Sequence, residues 1–283
     1  MEPRSPSRTA AAAAAHRAAH QVVENGRIFR DPLALRILGQ SYEEVLREAQ
    51  AHPRRIRMRL FIAMRTRFAE DLVAAAVDTD AETRVSQLVV LGAGLDTLAY
   101  RSRFGDPLRI FEVDHPATQQ WKRARLAAAG IPVPSWLTFA PVDFERATLA
   151  AGLAAAGFDP YRRTFFTWLG VVPYLTEPAI FATLGFIGAL PGGAHVVFDY
   201  SDPPATLSPE MRTFHDRRAA RVAEIGEPWV TYFDPVVLAG RLQSVGLPHI
   251  EDLGTRELSA RYLRGMIGPG PERGGHVVHA RTT

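Results

Sequence analysis

The amino-acid sequence predicts an α/β fold: a doubly wound, mostly parallel sheet of seven strands, with N-terminal helices and a helical insertion. Roughly the first 80 residues show only the helical spacing of apolar residues. A short apolar run, Gln87 to Leu91, then closes on Gly92-Ala-Gly94, which is typical of a buried parallel strand that leads into a helix. From there strand-like and helix-like segments alternate in series, which indicates a parallel sheet with right-handed crossovers.

Three helices are expected before the sheet. Residues 7–23 are rich in alanine and offer Ser7 or Thr9 as an N-cap. A second, short helix is expected to start at Arg30-Asp31-Pro32, because proline suits the first turn of a helix. A longer helix is predicted from Ile56 to Val77, where apolar residues recur at helical spacing.

Strands and helices are then expected to alternate to the end of the chain. The later strands are predicted at 108–113, 137–142, 164–169, 194–199, 248–253 and 276–280, and the helices between them at 116–129, 145–156 and 177–190. Residues 201–235 break the rhythm with two adjacent prolines and an Arg-rich helix, so we interpret them as a helical insertion or lid. The last two strands form a candidate antiparallel pair at the sheet edge. We expect one domain over 1–283, with residues 1–80 as a helical cap.

The composition excludes several classes of protein. The chain of 283 residues has no cysteine, which excludes disulfides, thiolate metal sites and cysteine nucleophiles. Its net charge of +3 arises from intermixed basic and acidic residues, unlike the charge blocks of nucleic-acid-binding proteins. Lys122 is the only lysine, so a P-loop lysine is excluded. His16 and His20 are four residues apart, but they lie in an Ala-rich helix with no acidic residue nearby before Glu24, so the sequence gives little support for a metal site. No apolar stretch could span a bilayer. We therefore expect no metal, no nucleic-acid or membrane partner, and a cytoplasmic location.

Four strand ends are where a ligand is expected, because open α/β sheets bind ligands at the carboxyl ends of their strands. These are residues 92–96, 112–114, 142–144 and 168–170. A Gly-x-Gly turn alone is also compatible with an ordinary tight turn. Asp96 would repel a pyrophosphate, which disfavours NAD and FAD, whereas Asp114 lies where a ribose would offer its hydroxyls. A nucleoside cofactor with a cationic centre and no phosphate, S-adenosylmethionine, fits this pattern better.

Several segments carry a resemblance to a known family. The sequence Val89-Val-Leu-Gly-Ala-Gly-Leu-Asp-Thr-Leu-Ala-Tyr-Arg101, followed by Phe111-Glu-Val-Asp-His-Pro116, resembles the bacterial branch of the leucine carboxyl methyltransferase family. That family belongs to the Rossmann-like class I S-adenosylmethionine-dependent methyltransferases. Further similar blocks cover roughly residues 9 to 200 in the family's order, namely 9–18, 31–34, 65–68, 141–143 and 168–175.

The resemblance implies where the cofactor would bind. The implied residues are Arg65 for the methionine carboxylate, Gly92, Ala93 and Gly94 against the methionine portion, Asp114 with Glu112 for the ribose, Asp143 and Phe144 for the adenine, and Leu169 and Tyr174 on the loop after the fourth strand. Leu169 departs from the family pattern, because members that methylate a protein C-terminus carry an acidic residue there. This departure argues against a protein substrate.

Each of these residues also has a plainer interpretation. A surface position on a long helix would explain Arg65. A helix N-cap would explain Asp114 or Asp143, the latter for a helix beginning at Glu145. A place in the core would explain Trp168 and Tyr174, and a structural role would explain His195.

Methylation of a carboxylate on a small molecule is the leading functional hypothesis. A carboxylate is already ionised at neutral pH, so such a reaction needs no general base, and the sequence offers no compelling one. The alternative is O- or N-methylation of a hydroxyl or amine, which requires a base such as His115, His215 or Asp199. A protein that binds S-adenosylmethionine without catalysis, and more distantly a dinucleotide oxidoreductase, also stay open. We expect the N-terminal helices and the insertion to form the acceptor pocket.

Overall fold

The computed structural model describes residues 7–104, 108–143, 146–263 and 273–283. It has the predicted α/β fold, with helices and a seven-stranded, mostly parallel sheet. The chain divides into two compact units, Met1–Phe158 and Asp159–Thr283. Among the residues so described, no helix is both long and apolar enough to cross a membrane.

The α-helices described in the first unit are α1 (Arg8–Val23), α2 (Ala34–Leu38), α3 (Tyr42–Ala51), α4 (Ile56–Val77), α5 (Leu98–Arg101), α6 (Pro116–Ala128) and α7 (Leu149–Ala155). Ser7 caps α1, since its hydroxyl accepts from the Ala10 amide at 3.1 Å, and α4 has the predicted bounds. Helix α3 is not among the predicted helices. It begins with a capping box in which Ser41 and Glu44 each bond the other's backbone amide.

Two helix starts differ from the prediction. The second helix begins at Ala34 rather than at residues 30–32, because the Asp31 carboxylate closes a turn onto the Leu33 amide at 3.0 Å. The helix expected from Glu145 begins only at Leu149, where Thr148 accepts from the Ala151 amide at 3.2 Å as its N-cap. Glu145 itself lies outside the described residues.

Three parallel strands form the sheet of the first unit, in the order β3-β2-β1. They are β1 (Gln87–Leu91), β2 (Arg109–Asp114) and β3 (Leu137–Pro141). All five side chains of β1 are buried, as expected for a strand covered on both faces. The carboxyl ends of β1 and β2 are side by side, because Leu91 pairs with Val113.

Four strands in the order β4-β5-β7-β6 form the sheet of the second unit: β4 (Thr164–Trp168), β5 (Ala194–Ser201), β6 (His249–Gly254) and β7 (Gly275–Arg281). Strands β4 and β5 are parallel, and β7 is antiparallel to both β5 and β6. The predicted antiparallel pair is therefore confirmed. The sequence did not indicate that β7, the last strand, lies inside and β6 at the edge.

The helices of the second unit are α8 (Glu177–Gly188), α9 (Pro209–Glu224), α10 (Pro235–Ser244) and α11 (Thr255–Tyr262). Short 3-10 turns cover Val172–Tyr174 and Pro204–Thr206. The Arg-rich helix predicted within the insertion is α9, whereas α10 and α11 were not predicted. Gly188 lets α8 pack tightly, because an added Cβ there would lie 1.9 Å from the Val245 carbonyl oxygen.

Two histidines stack on each other between strands β5 and β7. His195 Nδ1 lies 3.1 Å from His279 Nε2, and the two ring centres are 5.3 Å apart. Both rings also stack on Phe165, at 5.4 and 5.9 Å. Burial lowers the pKa of His195 to about 3 and that of His279 to about 4, so both rings are neutral near pH 7. These contacts agree with a structural role for His195.

The neutral histidine pair should make stability depend on pH. An unfolded histidine has a pKa of about 6.5, so protonation below that pH favours the unfolded chain. We expect the free energy of unfolding to be highest above about pH 6.5 and to fall below it with a slope that approaches about 1.4 kcal/mol per pH unit for each ring. Urea unfolding between pH 7 and 5 measures this. His195→Phe should flatten the dependence, whereas His52→Phe, at an exposed histidine, should not; equal slopes in all three proteins would contradict the assignment.

Candidate functional site

The turn that follows β1 has its backbone N–H groups already engaged. The amides of Gly92 and Ala93 donate to the Val113 carbonyl at 2.9 and 3.1 Å. The amide of Gly94 donates to Asp114 Oδ2 at 2.6 Å. Gly92 and Gly94 have φ of 65° and 43°, which explains why glycine is needed at both positions. A pyrophosphate is bound through free N–H groups of such a turn, so this turn lacks the donors that a dinucleotide requires.

Asp114, at the end of β2, is held in place by two backbone amides. Its Oδ1 accepts from the His115 amide at 2.7 Å, and its Oδ2 accepts from Gly94. Burial raises the pKa of the carboxyl, although these hydrogen bonds act in the opposite direction. Each carboxylate oxygen has a second lone pair, so the group can still accept a hydroxyl.

The N-cap of α6 is His115, not Asp114. His115 Nδ1 accepts from the Ala117 amide at 3.2 Å, so the interpretation of Asp114 as a helix cap is wrong. Because its Nδ1 is an acceptor, the His115 ring carries a proton only on Nε2 in this arrangement.

Glu112 shares a face of β2 with Asp114 but is completely buried. Its Oε2 lies 2.8 Å from Lys122 Nζ and accepts from the Tyr100 hydroxyl at 3.2 Å. Its Oε1 has no hydrogen-bond partner within the residues described. Burial raises the pKa of Glu112 to about 7, although the Lys122 charge lowers it. The residue is thus an internal neighbour of Asp114 with one acceptor atom unused.

Asp96 provides a third carboxylate at this turn. Its Oδ1 accepts from the Leu98 amide at 2.7 Å, so it closes the chain into α5. Burial acts to raise its pKa, but the positive charges of Arg17, Lys122 and Arg101 keep the pKa below its usual value. Asp96 is therefore charged near neutral pH, in line with the expectation that it would repel a phosphate.

A buried ion network connects the N-terminal helices to this turn. Asp31 is completely buried and accepts from the Thr97 hydroxyl at 2.7 Å. Its carboxylate lies 3.6 Å from Arg17 Nε and 3.8 Å from Arg101 Nε. Arg17, on α1, also donates to the Leu95 carbonyl at 2.5 Å. The segment from 95 to 101 is therefore fixed to the N-terminal helices by charged groups.

Two further contacts strengthen this attachment. Arg101 forms a bidentate ion pair with Glu70 on α4, one arm of which measures 2.8 Å. Helix α1 also packs directly on the glycine turn, because a Cβ added to Gly94 would lie 2.9 Å from the Ala10 Cβ. Any side chain at Gly94 would displace α1.

The other predicted residues of the first unit lie on α4 and after β3. Arg65 is only 8% exposed, so its interpretation as a surface residue is wrong. Asp143 is half-buried, its Oδ2 is 3.6 Å from Arg146 Nε, and its carbonyl accepts from the amides of Arg146 and Ala147 at 2.9 Å. Because Thr148 caps α7, the interpretation of Asp143 as that cap is also wrong. Phe144 lies outside the described residues.

In the second unit, the loop after β4 carries Leu169 and Tyr174, both half-buried. Gly170 has a φ of 73° and its amide donates to Asp199 Oδ1 on β5 at 2.5 Å, which fixes the start of the loop. Trp168 is 3% exposed, in agreement with its interpretation as a core aromatic residue.

Within the predicted insertion 201–235, a segment whose individual residues the sequence did not distinguish crosses the carboxyl ends of β4 and β5. The Val230 amide donates to the Pro173 carbonyl at 2.8 Å, and the Thr231 hydroxyl to the Leu175 carbonyl at 2.5 Å. Two residues later the Phe233 amide donates to the carbonyl of Ser201, at the end of β5, at 3.1 Å. Residues 229–233 therefore lie where α/β sheets bind their ligands.

His215, a candidate base on α9, is buried and has partners at both nitrogens. Its Nε2 lies 3.0 Å from the Tyr232 hydroxyl and its Nδ1 lies 3.0 Å from Asp216 Oδ1. Burial and the Asp216 charge raise the pKa of Tyr232. As for metals, the described ranges contain no group of three or more His, Cys, Asp or Glu that could hold an ion.

Comparison with known proteins identifies relatives of this chain. The sequence model of the leucine carboxyl methyltransferase family matches residues 10–188. The chain is 34% identical over 175 residues to a Bacillus subtilis protein named as an S-adenosyl-L-methionine-dependent methyltransferase, which is 61% of this chain and 57% of that protein. The chain thus spans little more than half the length of that relative.

Two further proteins resemble nearly the whole chain. A Frankia alni protein with the same functional name is 31% identical over 250 residues, covering 86% of this chain and 82% of its own length. The crystal structure of a DUF574 family protein from Streptomyces avermitilis superposes with a TM-score of 0.56 at 14% identity, over 95% of this chain and 97% of that one. The latter likeness concerns the fold alone.

Loss of the Asp31 charge should be strongly destabilising. Asp31→Asn leaves the buried Arg17 without its ion-pair partner, and breaking a buried pair typically costs about 3–5 kcal/mol. Urea unfolding should therefore show a loss of this size. Asp78→Asn is the matched control, because its pair with Arg103 is exposed and should contribute less than about 1 kcal/mol. Equal effects of the two substitutions would contradict the proposed importance of the network.

Proposed function

Because the chain belongs to the leucine carboxyl methyltransferase family, we propose that it is an S-adenosylmethionine-dependent methyltransferase that esterifies a carboxylate of a small molecule. The observation that carries the proposal is the hydrogen bonding of the turn after β1. The amides of this turn donate to the Val113 carbonyl and the Asp114 carboxylate, and the carboxylate oxygens can still accept further hydrogen bonds. Such a site suits a nucleoside cofactor without phosphate.

The chain's own residues have distinct roles in this proposal. Asp114 accepts the ribose hydroxyls, in the orientation fixed by the amides of Gly94 and His115. Glu112 supports it from the interior, with its unused Oε1 as a second acceptor. Arg65, buried on α4, binds the methionine carboxylate as a charge partner.

The remaining contacts follow the family pattern. Asp143 accepts from the adenine amine, next to Phe144. Gly92 and Ala93 pack against the methionine portion. Bound S-adenosylmethionine supplies an activated methyl group, which a carboxylate oxygen takes up as the carbon–sulfur bond breaks, giving a methyl ester and S-adenosylhomocysteine.

An ionised carboxylate loses no proton when it is methylated, so this reaction needs positioning rather than a base. Correct alignment alone can supply roughly 7–11 kcal/mol of the barrier. Two of the candidate bases are engaged elsewhere, since His115 Nδ1 caps α6 and Asp199 Oδ1 accepts from Gly170. These contacts support a carboxylate acceptor.

One observation supports a second candidate, the methylation of a hydroxyl or amine. Asp216, His215 and Tyr232 form a chain of hydrogen bonds, with His215 at its centre, beside the segment that crosses β4 and β5. A carboxylate–histidine pair of this kind can accept a proton from a substrate through a neighbouring group.

Asp114→Asn should weaken cofactor binding more than it harms the fold. Losing hydrogen bonds to a charged acceptor costs about 1.5–3 kcal/mol, roughly tenfold to a hundredfold in affinity. Calorimetric titration with S-adenosylmethionine and S-adenosylhomocysteine measures this, and NAD should give no saturable binding.

His115→Ala serves as the control for this substitution. It removes the cap of α6 and should lower stability by about 0.5–2 kcal/mol while leaving cofactor affinity unchanged. If Asp114→Asn lowers the melting temperature but not the affinity, Asp114 has no part in cofactor binding. Saturable NAD binding without a response to either sulfur nucleoside would overturn the proposed function itself.

The dependence of turnover on pH distinguishes the two acceptor classes. A carboxylate with a pKa near 4 stays ionised, so kcat should vary little between about pH 6 and 8. His215→Gln should keep this flat profile and reduce kcat less than about tenfold, since loss of a true general base costs about 10²–10⁴-fold.

The product provides an independent readout in the same experiment. A methyl ester is cleaved by mild alkali, whereas a methyl ether or amine is not. A rate that rises through a group near pH 6.5 and is abolished in His215→Gln, with an alkali-stable product, would establish the hydroxyl or amine reaction instead.

A further inference from the structure

Aromatic side chains gather at one end of the segment that crosses β4 and β5. The His215 ring centre lies 5.6 Å from that of Trp229 and 5.4 Å from that of Tyr232. The Arg218 guanidinium lies 5.0 Å from the Trp229 ring centre and 5.7 Å from that of Phe214. We call these five residues the aromatic cluster. His215 is buried and the other four residues are half-buried, so the rings of Phe214, Trp229 and Tyr232 are partly accessible to a ligand.

The cluster is fixed to the functional edge of the sheet. Directly after Trp229, the amide of Val230 and the hydroxyl of Thr231 bond to the loop that follows β4. Beyond Tyr232, Phe233 bonds to the end of β5. Trp229 and Tyr232 are therefore attached to the strand ends where a substrate would be expected, rather than to a distant surface.

Trp229 holds an unused hydrogen-bond donor. Its Nε1 is inaccessible to solvent and has no acceptor among the residues described. A buried donor without a partner costs free energy, so native proteins rarely leave one without a purpose. Trp136 shows the usual arrangement, since its Nε1 donates to the Ala99 carbonyl at 3.2 Å. The contrast indicates that Trp229 Nε1 meets an acceptor atom that the described residues do not supply.

We propose that the aromatic cluster is the acceptor subsite and that it binds an aromatic carboxylic acid, whose ring packs between Phe214 and Tyr232 and opens the cluster so that its carboxylate accepts from Trp229 Nε1. The inference rests on the proposed function for its catalytic meaning, but the binding itself does not depend on it. An indole N–H gives one directed bond to a carboxylate oxygen, and the Arg218 charge beside it favours an anion. Partly exposed aromatic side chains can stack on an aromatic ring of the ligand, and this contact is more favourable than one with an aliphatic group.

Nuclear magnetic resonance of the indole groups tests the subsite directly. The chain has four tryptophans, so protein labelled with ¹⁵N-tryptophan gives four indole signals, which single Trp→Phe substitutions assign. We would titrate benzoate, cinnamate and 1-naphthoate, with benzamide and cyclohexanecarboxylate as probes that lack the charge or the flat ring. Each titration is run with and without S-adenosylhomocysteine.

The aromatic carboxylates should move the Trp229 indole signal downfield in a saturable way and leave the Trp136 signal in place. Trp229→Phe keeps the ring but removes the donor, and it should weaken binding of the same carboxylates roughly tenfold to a hundredfold. Trp136→Phe is the matched control, with unchanged affinity. Benzamide and cyclohexanecarboxylate should bind more weakly than benzoate.

The inference is wrong if no aromatic carboxylate moves the Trp229 signal at millimolar concentration, or if the largest shift falls on another tryptophan. It is also wrong if the Trp229→Phe protein binds the probes as tightly as the unsubstituted protein does. Failure of the proposed function has a different signature. In that case S-adenosylhomocysteine produces no calorimetric response, while the Trp229 signal still reports whether the carboxylates bind.

Discussion

The buried ion network around Asp31 is the constraint on which the geometry of the first unit depends. A carboxylate without solvent contact must be compensated, and Asp31 meets this need with Arg17, Arg101 and the Thr97 hydroxyl. Two of these partners belong to the chain just after the glycine turn, and one belongs to α1. The same charges that satisfy Asp31 therefore fix α1 against the turn, where Ala10 leaves room only for glycine at position 94.

The fixed conformation of the glycine turn also determines which ligands it can bind. Three successive amides point back to β2, so the exposed chemistry of the turn comes from carboxylates instead of backbone donors. Asp96 stays charged because Arg17, Lys122 and Arg101 surround it, and Asp114 is oriented by two amides. A phosphate would meet negative charge without compensating N–H groups. A hydroxyl-bearing nucleoside with a cationic centre meets acceptors, which is the physical basis for the proposed cofactor.

Sequence reasoning located the parts of the fold that local patterns specify. Apolar runs ending in Gly92 or Asp114 marked buried parallel strands, and the spacing from Ile56 to Val77 gave α4 its bounds. The capping box at Ser41 is a local sequence signal for the start of α3. The network around Asp31 could not be predicted, because its partners are far apart in sequence. The place of β7 beside β5 likewise depends on a long-range pairing that no local pattern encodes.

The proposed acceptor subsite was still harder to predict from the sequence. The family match ends at residue 188, so it includes the glycine turn and the β4 loop but not the segment from 229 to 233. That segment is held by a few backbone and hydroxyl bonds, which many sequences could form. Its specificity would lie in side chains such as Trp229, whose unused donor is visible only once the fold has excluded solvent from it. A cofactor site fixed by backbone geometry can therefore be recognised from a motif, whereas an acceptor site made of side chains on a crossing segment requires the structure.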